Sequence, residues 1–157
     1  MTGQPGEAGI VSLLAEHEHV IGRLYRTYAN RFPEHEEFWS RLADEEDQHA
    51  SWLRRLLVRV EEGLGCVRPD KFDPTKVKNS LARIERMIEE VDEPKSSPTD
   101  ALNTALVIEE SLLEAEYFEI FEGTAAEVVQ VQYCLADAAR DHYNRIQEMT
   151  SSSRASS

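Results

Sequence analysis

The chain has 157 residues, 30 acidic against 17 basic, for a net charge of −13, a length that suits one domain with its own core. That acidic excess disfavours nucleic acid and anionic membrane surfaces as partners and favours cations. Cys66 and Cys134 cannot build a disulfide framework or a four-cysteine metal site. No apolar run approaches the roughly 20 residues of a membrane span, and Met1 to Gly9 lack a signal-peptide pattern, so the chain reads as cytoplasmic with reduced thiols.

Apolar residues recur at three-and-four spacing with no sustained alternation, which predicts an all-α chain. The first helix is expected from Glu7 to Asn30. The second runs from Pro33 to Glu62, with Gly63 and Gly65 as stop signals. A shorter amphipathic helix follows from Pro74 to Val91 behind the candidate N-cap Asp73, and the stretch Glu93 to Pro98 closes it. The next long helix starts at Ser97 and Pro98, with Asp100 completing a capping-box-like start, and ends near Gly123. Thr124 and Glu127 open the last helix, which ends near Met149. Residues 1–150 are then one domain, and Ser151 to Ser157 form a disordered Ser-rich tail. Two tight helix pairs joined by one long connection predict an antiparallel four-helix bundle whose crossover contains a short extra helix.

Several positions on the inward stripes are not apolar. The first helix presents Val11, Leu14, Glu18, Ile21, Tyr25 and Tyr28; the second presents Trp39, Leu42, Glu46, His49, Leu53, Leu56 and Val60. The third long helix is assigned Leu106, Glu110, Leu113, Tyr117 and Ile120, and the last Val128, Gln132, Leu135, Ala139, His142, Ile146 and Met149. A buried, unpaired carboxylate costs several kcal/mol, so a group of them at core positions implies a shared cation. Counting from the turns puts the ligand-type residues near one layer. Glu18 lies about 14 residues before Phe32–Pro33, Glu46 and His49 about 14 to 17 after it, roughly 20 Å along the axis. Carboxylate oxygens with imidazole nitrogens suit iron, manganese or zinc, and the carboxylate richness favours iron. His17, His19 and His35 are expected at the surface, as are Glu34, Glu36, Glu37, Glu109, Glu116 and Glu119.

The two helix pairs also repeat one another. Glu18 to Tyr25 recurs as Glu110 to Tyr117, and Leu42-Ala43-Asp44 recurs as Leu135-Ala136-Asp137, which aligns His49 with His142. Through E-x6-Y, Glu45-Glu46-x-x-His49 and the second E-x6-Y, the chain resembles the ferritin-like superfamily, and within it the rubrerythrin-type diiron domains, over roughly residues 10–149. The resemblance implies metal ligands at Glu18, Glu46, His49, Glu110 and His142, with Glu46 bridging and Tyr25 and Tyr117 beside the site. It also implies a second bridging carboxylate where this chain has Ala139, and Glu114, one turn beyond Glu110, is the candidate substitute.

The implied function is a diiron oxidoreductase that reduces hydrogen peroxide or dioxygen, or oxidises iron, in the setting of oxidative stress. Electrons would come from an external donor protein, because the chain carries no rubredoxin-like cysteine module. The alternative is a non-catalytic iron-binding or structural bundle with a degenerate site. Apolar residues expected at the surface, Leu13, Phe38 and Val58, would support a homodimer or higher homo-oligomer.

Overall fold

Among the described residues the periodic apolar spacing is realised as five α-helices in the computed structural model. It describes residues 6–155 except 66, 94, 95 and 116–119, with the backbone alone at 113–115 and 153–155. The helices are α1 (Glu7–Arg31), α2 (Glu36–Glu61), α3 (Pro74–Glu90), α4 (Pro98–Ala115) and α5 (Ala126–Ala155).

Local chemistry sets most of the boundaries. Proline has no N–H to continue the α1 ladder, so the chain turns through one 3-10 turn, Pro33–His35, before α2 begins three residues later than the sequence suggests. The end of α2 is a Schellman motif. Gly63, at φ 107°, donates to Val60 O and Leu64 donates to Arg59 O, both at 3.0 Å. Asp73 caps α3 by accepting from the backbone N–H of Thr75 at 3.0 Å, with Pro74 as the first helical residue. Ser97 Oγ accepts from the Asp100 N–H at 3.1 Å to start α4.

α1 lies along α2 and α4 along α5; α3 covers α1, and α2 meets α5. Val77, Leu81 and Ile84 are the buried face of α3. One buried apolar cluster runs through these helices, with Ile10, Ile21, Leu24, Trp39, Leu42, Leu53, Leu102 and Ile146 fully enclosed. The links that leave α2 and enter α5 are tied together by an isolated bridge between Val67 and Phe121 and by the Arg68 N–H donating to Ile120 O at 2.7 Å.

Three expectations need correcting. Phe121 lies in that bridge, so helix does not run from α4 to Gly123. Ile120 and Phe121 are apolar enough to read as helix face, but they are buried against the α2–α3 link. α5 continues through Ala155, so the last helix does not end near Met149. The Thr150 hydroxyl is buried and donates to Ile146 O at 2.8 Å, which anchors the turn from which the helix extends. Leu13 and Phe38 pack partly against the core, whereas Val58 is exposed as expected. Among the described residues no helix is long and apolar enough to cross a membrane.

Candidate metal centre

Five ionisable side chains from four helices meet inside the core: Glu18 of α1, Glu46 and His49 of α2, Glu109 of α4 and His142 of α5. Glu46, Glu109 and His142 are each exposed by 1% or less and His49 by 6%. On α1, the three-and-four stripe of Leu14, Ile21 and Tyr25 turns Glu18 inward. On α2, Glu46 and His49 are three residues apart and therefore share a face.

Two triads result, and Glu46 belongs to both. Glu18, Glu46 and His49 bring one ligand atom each within 4.8 Å of one another, as do Glu46, Glu109 and His142. His142 Nδ1 is 3.0 Å from Glu46 Oε1 and 3.5 Å from Glu109 Oε1, while His49 Nδ1 is 3.5 Å from Glu46 Oε2 and 3.9 Å from Glu18 Oε2. The two imidazole rings stack with centroids 5.5 Å apart. Tyr25, fully buried, donates its hydroxyl to Glu109 Oε1 at 2.7 Å.

The electrostatics follow from enclosing so many acids together. Burial, then the nearby charge of Glu46, pushes the Glu18 carboxyl up to about 7. Burial would raise Glu46 too, but its contacts with Glu18, His142 and His49 outweigh that and hold it below the usual range. Burial alone would lower both histidines. The nearby carboxylates of Glu18 and Glu46 instead carry His49 up to about 10, and those of Glu109 and Glu46 carry His142 up to about 11. Burial also holds the Tyr25 hydroxyl well above its normal value, so it stays a donor.

Of the residues singled out in the sequence, Tyr25, Glu18, Glu46, His49 and His142 are brought together. Glu110 is not: it is exposed, and its neighbour Glu109, expected on the solvated face, occupies the core position. The buried arc of α4 is Ala101, Leu102, Ala105, Ile108 and Glu109, about 100° from the Leu106–Glu110 stripe for each residue of offset. Weighting the small residues Ala101 and Ala105 as core would have found it. The side chain of Glu114, and Tyr117, lie outside the described residues.

His17 also departs from expectation. It is buried beneath α3 with Nε2 2.8 Å from Ser80 Oγ, because α3 packs over that face of α1. Burial lowers its pKa. Ala139 sits with Glu18, Leu14, His17, Leu53, Leu112 and Leu135 around a cavity of about 30 Å³, roughly where the symmetric pattern calls for a further carboxylate.

No protein-family model, curated protein or solved structure matches the chain. The side chains themselves therefore carry the functional reading.

Proposed function

We propose that α1, α2, α4 and α5 form a ferritin-like four-helix bundle, with α3 in its crossover, whose core holds two iron ions. On this reading the protein is an oxidoreductase that reduces hydrogen peroxide or dioxygen, or oxidises iron. One observation carries it. Among the described residues, the buried atoms Glu18 Oε2, Glu46 Oε2 and Glu109 Oε2 make no hydrogen bond. An unsatisfied buried polar atom costs about 1–3 kcal/mol, more for a charged one, so three carboxylate oxygens left so in one cluster argue for a cation that they address.

The donor set fits the group. Carboxylate oxygens and imidazole nitrogens without thiolate match iron, with manganese or zinc as competitors. Glu18 and His49 would hold one ion, Glu109 and His142 the other, and Glu46 would reach both. Ferrous ions bound there would supply the electrons for reducing peroxide or dioxygen.

The remaining roles belong to the chain. Tyr25 fixes one oxygen of Glu109 and leaves the other free. The leucines beside Glu18 exclude bulk water, and His49 and His142 surrender protons as cations enter. A separate donor protein would return electrons, and homo-oligomers through exposed apolar residues such as Val58 belong to the same reading.

Metal analysis of the purified chain, then anaerobic titration with ferrous iron and exposure to peroxide or oxygen, tests this. Two irons and a ferric absorbance change are expected. Less than one iron per chain would sink the reading.

Ala139 favours a second reading, a non-catalytic metal-binding bundle, because it leaves the Glu18 side one carboxylate short. Iron that binds but is not oxidised by peroxide or oxygen, with oxidation gained in Ala139→Glu, would select it.

A further inference from the structure

His142 has a second carboxylate neighbourhood on its outer edge. Its Nδ1 faces Glu46 and Glu109, but its Nε2 faces Glu45 Oε1 at 3.7 Å, too far for a hydrogen bond. The residue is 1% exposed, and Nε2 makes no hydrogen bond among the described residues. Glu45, Asp141 and His142 each bring one ligand atom within 4.8 Å of one another. This group shares only His142 with the inner triads.

A cationic side chain already stands among these carboxylates. Arg145 Nη1 lies 2.9 Å from both oxygens of Glu45 and 3.0 Å from Asp141 Oδ2. A single guanidinium nitrogen therefore faces three carboxylate oxygens, where the usual arginine–carboxylate fork spreads two bonds over two nitrogens. The contact is the one a compact point charge would make. The Arg145 side chain is 27% exposed and that of Asp141 58%, so the position opens to solvent while His142 backs it from the core.

We propose that Glu45, Asp141 and Nε2 of His142 form an outer site for a divalent transition-metal ion, covered here by Arg145, from which cations pass inward. Two oxygens and one imidazole nitrogen select first-row divalent ions over calcium and magnesium, which prefer oxygen alone. Arg145 competes for the same oxygens, so it must swing aside before an ion settles, which keeps the outer site weaker than the inner cluster. His142 connects the two, one ring edge to each. The passage inward rests on the inner cluster being a metal site; the outer site does not.

Cobalt(II) titration of the chelator-stripped full chain, followed by visible absorption and metal analysis, tests both parts. Glu46→Gln combined with Glu109→Gln blocks the inner cluster and should leave one bound cobalt. Adding Glu45→Gln and Asp141→Asn should then weaken that cobalt at least about tenfold. In the otherwise unaltered chain, Arg145→Ala should tighten the outer ion about tenfold and hasten inner loading. An inner-blocked protein that keeps its helical circular dichroism but binds no cobalt would overturn the outer site. So would an Arg145→Ala chain with unchanged affinity and loading rate, and that comparison decides alone if the inner-blocked protein does not fold. Wild-type chain that takes up only the cobalt lost on Glu45→Gln and Asp141→Asn would support the outer site while sinking the inner one.

Discussion

Tyr25 and Glu109 show how one hydrogen bond ties packing to chemistry. The phenol fills core space at 0% exposure, and its hydroxyl satisfies one oxygen of a carboxylate that is itself fully buried. Tyr25→Phe keeps the ring and strips that oxygen of its donor, which should cost about 1–3 kcal/mol in the metal-free protein by urea denaturation. With metal bound the same substitution should cost less, since the cation takes up the carboxylate charge. An equal loss in both states would mean that Glu109 is not a ligand. A paired comparison one residue apart is sharper still. Glu109→Gln should weaken metal binding by about a hundredfold or more, whereas exposed Glu110→Gln should leave it unchanged in the same competition assay.

Among the elements, the α1–α2 contact fixes how precisely Glu18 and Glu46 face each other, and Gly22 is what lets it close. A Cβ on Gly22 would stand 3.2 Å from Asp47 Oδ1, 3.3 Å from Glu46 Cβ and 3.5 Å from Ala43 O. Gly22→Val should push the helices apart, destabilise the protein by about 1–3 kcal/mol and weaken metal binding through displaced Glu46. A variant with wild-type thermal stability and affinity would show that the contact has slack.

Much of this was legible in the sequence, because α1, α2 and α3 announce themselves by capping and stop residues and by stripes with one evident phase. α4 does not. Its segment is apolar on adjacent faces, and the phase taken from Leu106, Glu110 and Leu113, which the E-x6-Y repeat shares, leaves Glu109 on the solvated face, whereas the structure buries it. The Glu45–Arg145 pair was illegible for another reason: it joins residues 100 positions apart, and neither breaks an apolar pattern. The burial of His17 depends on where α3 packs, which periodicity within a helix does not encode.

For the whole molecule, the enclosed acid–histidine cluster makes proton uptake a property of the metal-free fold. His49 rises from 6.5 to about 10 and His142 from 6.5 to about 11 on folding, so the stabilisation from their protonated forms is complete below pH 6.5 and disappears as pH climbs through 10 to 11. Glu18, raised from 4.5 to about 7, acts in the same direction between those two values. The net charge of −13 adds self-repulsion that also grows with pH. Metal-free protein should therefore melt at a lower temperature at pH 9 than at pH 6. Metal binding must expel those same protons, so affinity should move the opposite way and rise with pH over this range. Calorimetric titrations in buffers of different ionisation enthalpy would count the protons released, and more than one per chain at pH 7 is expected. Zero release, together with a melting temperature that does not fall from pH 6 to 9, would mean that the histidines are neutral in the metal-free core and that the cluster is held together without their charge.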